Sequence, residues 1–290
     1  MKLLSVLLAS VLSTSIASAS TTLTPAWKTT TELQAPESVI YHPGSDALYV
    51  SNVNGAPDAV DGNGYISQLS DEGEIEDLYW VDGLDAPKGL AIKDDLLYVA
   101  DIDELVVIDI NNKSIAARYP ADQAKFLNDV AIDQQGRVYV SDMMTNQIYR
   151  LADGEFSLWM DDSELEAPNG LLVENNKLIV GSWGHMTDGF STDVPGHLKI
   201  IDLETREIKS LGDGSPVGNL DGVEADGKGN YLVTDWMNGR LLLISPIGRS
   251  ETLIEFEQGS ADHTVMPEKN LVIVPMMMQN QLQAFRISHQ

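Results

Sequence analysis

Short apolar stretches separated by polar, Gly-, Asp- and Asn-rich breaks run through nearly the whole chain, and the 3.6-residue period of an amphipathic helix is hard to find. One unit recurs. "PESVIYHPGSDALYVSN" begins at Pro36, "PKGLAIKDDLLYVAD" at Pro87 and "LNDVAIDQQGRVYVSD" at Leu127. "PNGLLVENNKLIVGS" begins at Pro168, "LDGVEADGKGNYLVTD" at Leu220 and "ADHTVMPEKNLVIVPM" at Ala261. Each has a polar residue, a short apolar strand, a turn, and a second strand rich in Tyr, Val, Ile and Leu. The second strands are expected to end at Val50, Val99, Val140, Val180, Val233 and Val274, spaced 49, 41, 40, 53 and 41 residues apart.

Units of this length with room for about four strands are propeller blades, and six of them predict an all-β, six-bladed β-propeller. "ELVVIDI" and "SIAARYP" supply the outer strands of the second unit. The last unit has room for only one further strand, "QLQAFRI". "AWKTTTEL" at residues 26–33 precedes the first hairpin, and it is expected to complete the last blade and close the ring.

In such a blade the first strand lines the central channel. The polar residues opening the six units, Glu37, Lys88, Asn128, Asn169, Asp221 and Asp262, are therefore expected to form one ring around the axis. An Asn-Gly pair such as Asn169-Gly170 is an ordinary turn signal. In register with five other polar residues it reads as part of a site. The two long intervals follow units 1 and 4. Their extra residues, "NVNGAPDAVDGNG" and "WGHMTDGFSTDVPG", are expected to rise on opposite sides of the channel mouth as walls or lids.

Composition narrows the chemistry. There are 18 basic and 44 acidic residues, a net charge of −26, and no cysteine. Unaided binding to nucleic acid or anionic lipid is not expected, and disulfides are impossible. Residues 1–19 read as a secretory signal peptide: a basic start at Lys2, an apolar stretch, and Ala17-Ser18-Ala19 for cleavage. The expectation is an exported protein, periplasmic or secreted, with residues 20–290 forming one domain, no membrane anchor and a monomeric state.

Carboxylates and amide oxygens converging without Cys suit a hard divalent cation. Calcium fits best, manganese or magnesium would also fit, and zinc is less suited. Glu37 and Asp221 would balance the ion's charge, with Asn128 and Asn169 completing its shell. Asp221 is also placed to act as base or nucleophile. Lys88 is either counter-charge to a surplus carboxylate or a replacement for the ion. Trp183, Trp236, Met143, Met144 and Met276 to Met278 follow second strands on the mouth side. They divide between packing and an apolar pocket wall suited to a substrate less polar than a sugar. Trp183 and His185 are candidate substrate contacts, and His185 and His263 are the histidines expected near the mouth. Asp101, Asp142 and Asp235 read as hydrogen-bonding residues of the blade turns, and "DGNG" at 61–64 is too short for an EF-hand loop.

The set of Glu37 in "PES", Asn128 in "LND", Asn169 in "PNG" and Asp221 in "LDG" resembles the senescence marker protein/gluconolactonase/luciferin-regenerating enzyme family. It also resembles the related diisopropyl fluorophosphatase and paraoxonase propellers. The resemblance runs from about Ala26 to the C-terminus. It implies a divalent metal, usually calcium, on Glu37, Asn169 and Asp221, with Asn128 binding substrate or completing the metal shell. It further implies hydrolysis of a small-molecule lactone or similar ester. Sugar-lactonase members carry an Arg where this chain has Phe126, which weakens an aldonolactone assignment. "PKGLAIKDDLLYVAD" resembles NHL-type repeats as well. A non-catalytic propeller that binds a ligand or protein partner is the alternative.

Overall fold

The computed structural model describes residues 21–289, so the leader expected at residues 1–19 lies outside the described residues. Among the described residues there are six four-stranded antiparallel sheets and one added two-stranded hairpin, with three short 3-10 turns and no α-helix. No helix of the described residues is long and apolar enough to cross a membrane. Each sheet is a blade, and five of the six run in simple order from the axis outward. Blade 2 has strands Pro87–Lys93, Leu96–Asp101, Glu104–Asp109 and Ser114–Pro120, the outer two where the sequence predicts them.

Blade 6 takes its outermost strand from the other end of the chain. Thr21–Lys28 pairs antiparallel with Gln281–His289, from Thr21 opposite His289 to Lys28 opposite Gln283. The closing strand therefore begins and ends about five residues earlier than the sequence suggests. A register shift between Pro25 and Trp27 accommodates the proline, which an outer edge tolerates because it has no N–H to contribute to a ladder.

The core lies between blades. Side chains alternate along each strand, so each sheet buries both faces against its neighbours. Tyr49, Trp80, Leu97 and Val106 fill the space between blades 1 and 2, and Val39, Leu48, Ile273 and Leu282 join blade 6 to blade 1. Tilted aromatic pairs such as Tyr49–Trp80, with ring centroids 4.5 Å apart, help fill these layers.

A bulge common to five blades sets up the channel. The first residue of each inner strand pairs with its neighbour, two residues follow unpaired, and pairing then resumes: Pro36 opposite Asn52 and Val39 opposite Val50 in blade 1. The same break occurs in blades 2, 3, 4 and 5. A bulge of this kind re-aims side chains at a barrel or channel rim. Each second strand also runs two residues beyond the expected valine, and those residues stabilise the bulge. The Ser51, Ser141 and Thr234 hydroxyls accept from the N–H groups of Ser38, Asp129 and Gly222. Ser141 and Thr234 then donate to the carbonyls of Asn169 and Ala261, stitching each blade to the next.

Candidate active site at the channel mouth

The carboxylates that end the second strands determine how the chain enters the mouth. Asp101 accepts from the N–H groups of Asp85 and Ala86, two residues ahead of Lys88. Asp142 accepts from Lys125 and Phe126, two residues ahead of Asn128, and Asp235 accepts from Asn219, two ahead of Asp221. Their expected hydrogen-bonding role holds, and its effect is to aim the following side chain at the axis.

Five of the six expected ring residues meet there. Glu37, Lys88, Asn128, Asn169 and Asp221, all buried, line the floor of one cavity of about 280 Å³. The sixth differs. Ser260 bridges Met276 as Pro36 bridges Asn52, so Ala261 takes the ring position in blade 6 and Asp262 lies one residue deeper. Its N–H bonds the Glu37 carbonyl, its carboxylate accepts from the Ser38 hydroxyl, and its side chain lines a second cavity further along the channel. His263 is displaced with it. It is buried away from the mouth, with neither ring nitrogen partnered, and burial pushes its pKa down to about 3.

Asn169-Gly170 lies inside the inner strand Pro168–Glu174 and is no turn. Gly170 is required for space. A Cβ there would stand 1.8 Å from the Asp221 carbonyl oxygen, and one at Gly222 would stand 2.5 Å from an Asp262 oxygen. Adjacent inner strands converge so tightly at the axis that only glycine fits after these two ring residues.

Three buried side-chain oxygens of the ring have no hydrogen-bond partner: Glu37 Oε2, Asn169 Oδ1 and Asp221 Oδ1. Buried polar atoms are rarely left so, and three converging orphans call for a missing donor or cation. Burial holds the Glu37 carboxyl well above the usual range, the Asp221 and Asp262 charges push it further, and Lys88 partly offsets them. Asp221 is raised by burial and then by Asp262. Lys88 does not fill the gap. Its Nζ donates to the Ala86 carbonyl at 2.8 Å and lies 4.4 Å from the centre of the Phe126 ring. Burial lowers its pKa to about 8 against the pull of Glu37 and Asp101. Among the described residues no three His, Cys, Asp or Glu side chains cluster as a metal site. A cation here would depend on the amide oxygen of Asn169 beside two carboxylates, a hard donor set that suits calcium, with Asn128 beside it. Asn128 Nδ2 meets only Met143 Sδ, at 4.0 Å.

Both inserted loops reach the cavity. Gly55 and Pro57 come from the blade 1 loop, Trp183 and Phe190 from the blade 4 loop, which carries the small hairpin Gly184–Met186 and Thr192–Pro195. Trp183 is buried, its Nε1–H donates to the Phe190 carbonyl, and its ring stands 6.0 Å from Trp236. Phe126, Met143, Trp236, Met277 and Met278 complete the wall. Met276 packs between blades and Met144 is exposed, so the mouth-side residues do divide between core and wall. His185 is not brought to the site: its side chain is 71 % exposed and pairs with Asp193 on the outer face of the hairpin. Phe190 was not singled out by the sequence, where it is one apolar residue in a polar loop.

The sequence profile of the SMP-30/Gluconolactonase/LRE-like region matches residues 35–264, most of the chain, which belongs to that family. Solved structures share the fold at low identity. A gluconolactonase from Xanthomonas campestris superposes with a TM-score of 0.68 at 14 % identity, covering 88 % of this chain and 87 % of its own. A catalytically inactive virginiamycin B lyase from Staphylococcus aureus with quinupristin gives 0.63 at 11 % identity, covering 92 % and 99 %. No curated protein matches significantly in sequence.

Proposed function

We propose that this family member is a divalent-cation-dependent hydrolase of a lactone or similar ester. Calcium is the expected ion, Glu37, Asn169 and Asp221 its ligands, and Asn128 a further ligand or a substrate contact. The observation that carries the reading is the convergence of three unpartnered buried oxygens, on the residues named, at the floor of the cavity that both inserted loops wall. Family membership supports the lactonase class. The single deep cavity over the ring favours small-molecule chemistry over the partner-binding alternative, which needs an open groove across several blades. The leader-like residues 1–19 support export, and the small-molecule site requires no second subunit.

A bound cation would polarise the acyl oxygen and stabilise the negative charge that develops on it. The rest of the chemistry belongs to the chain. Asp221 takes a proton from a water whose oxygen attacks the acyl carbon. The ring C–O bond then breaks, and the departing alkoxide recovers that proton, leaving a hydroxy acid. Burial and the neighbouring Asp262 push the Asp221 carboxyl up, and a cation beside it would hold it ionised, as a general base must be. Lys88, fixed by Ala86 and Phe126, keeps one positive charge beside Glu37.

The test is hydrolysis of a lactone panel, followed by pH-stat, before and after chelation and with calcium restored. Chelation is expected to abolish turnover and calcium to recover it. Asp221→Asn is expected to lower kcat by about a thousandfold with the fold retained, as for removal of a general base. Full activity in the chelated protein, or in Asp221→Asn, would overturn the proposal.

A further inference from the structure

The cavity's floor and walls are chemically opposite. All its ionic and amide side chains lie in the ring, and the walls are Phe126, Met143, Trp183, Phe190, Trp236 and Met277, with Ala35, Gly55 and Pro57 filling between them. Among the described residues that line the cavity, no hydroxyl, guanidinium or amide side chain rises above the floor. The wall has two indole donors: Trp183 Nε1–H is already used on the Phe190 carbonyl, and Trp236 carries the other. Phe126, Phe190, Trp183 and Trp236 form a continuous series of aromatic contacts, with ring centroids 5.6, 6.2 and 6.0 Å apart. At the rim the surface stays apolar, because Met278 lines the cavity and is also 63 % exposed.

A polyhydroxylated sugar lactone is the wrong complement to such a wall. The Trp236 indole can serve at most one hydroxyl; each of the others carried into the wall would lose water and find no partner, a loss of roughly tenfold or more in binding per group. An apolar substituent gains instead, roughly fourfold for each methylene buried. Building on the hydrolase reading above, we infer that the substrate is a lactone or cyclic ester bearing an alkyl or aryl substituent. The ester group meets the ring at the floor. The substituent lies among Phe126, Trp183, Phe190 and Trp236 and runs out past Met278 toward solvent. Phe126 is a specificity residue in this arrangement, because it lines the wall and also caps Lys88, whose ammonium is held against the Ala86 carbonyl.

The experiment compares kcat/KM of the calcium-loaded full chain on gluconolactone, γ-butyrolactone, its pentyl-substituted homologue and dihydrocoumarin. In parallel, quenching of tryptophan fluorescence is titrated with the matching pentyl-substituted and unsubstituted γ-lactams, which resist hydrolysis. With about three of its five carbons buried before the chain leaves past Met278, specificity is expected to rise about a hundredfold from butyrolactone to its pentyl homologue, with gluconolactone below both. The substituted lactam is expected to bind more tightly by a similar factor. Phe190→Ser should cut the pentyl-to-unsubstituted ratio about tenfold in both readouts. If gluconolactone is hydrolysed as well as the pentyl lactone, the apolar assignment is overturned while the hydrolase reading stands. If no lactone is hydrolysed but the substituted lactam binds preferentially, the hydrolase reading falls and apolar selection stands. Equal binding of the two lactams overturns the inference.

Discussion

The two ends of the central channel use the same residue types to opposite effect. At the mouth, Glu37 and Asp221 are buried beside Asn169 with one oxygen each left unpartnered, under loops that supply an apolar wall. One residue further along the inner strands stand Asp129, equally buried, and Asp262, partly buried, but both hydrogen-bonded within the protein. Asp129 accepts from the N–H groups of Val130 and Leu171, both at 2.6 Å, and Asp262 from the Ser38 hydroxyl. Buried carboxylates alone do not make a site. The mouth is distinguished by acceptors that the fold brings together and leaves without donors, where the deeper layer spends its acceptors on joining blade to blade.

The largest effect that separates the ends concerns stability. Asp129→Ala orphans two buried N–H groups and is expected to destabilise the fold by about 2 kcal/mol, read as a lower denaturation midpoint. Calcium affinity should change far less. An ion-binding loss as severe as that from a mouth mutation would erase the distinction.

A smaller effect concerns pH. Glu224 lines the deeper cavity, and burial pushes its pKa up to about 8, with Asp262 adding to the shift. A carboxyl whose folded pKa is raised binds more protons folded than unfolded. Its contribution is therefore fully present below the unfolded value of about 4.3 and is lost as pH rises through about 8. Thermal scans between pH 5 and 9 should show stability declining with pH, with a shallower slope in Glu224→Gln. An unchanged slope would show that Glu224 is ionised at neutral pH at little expense.

The smallest effect belongs to His185. It is exposed and paired only with Asp193, so its ion pair contributes little. His185→Ala should leave kcat/KM within about twofold; a loss above tenfold would mean that the hairpin closes over the substrate.

The architecture was legible because each blade must bury two sheet faces and return through a turn, and this writes a periodic pattern into the sequence. Glu37, Lys88, Asn128, Asn169 and Asp221 were legible for the same reason, since each opens an inner strand. Asp262 misled because hairpin turns differ in length. It precedes Val274 by 12 residues, within the 11 to 13 spanned by the other blades, yet pairing shows that the ring position is Ala261. Blade 6 has a four-residue turn between Met266 and Leu271, as blade 1 has between His42 and Ala47, so both place the ring residue 13 before the valine. An alanine carries no chemical signal that pattern reading could detect. His185 was misplaced because a strand's alternation decides which side of a loop hairpin a residue faces, and Phe190 reaches the cavity through a loop path that no periodicity encodes.

The most direct measurement is a calorimetric titration of the chelated protein with calcium, run beside Glu37→Gln. The account predicts one site in the wild type. In the variant, which keeps an acceptor oxygen but removes a charge, affinity should fall by about a hundredfold, the range expected when a buried charge interaction is removed. No binding by the wild type, or equal binding by both proteins, would contradict it.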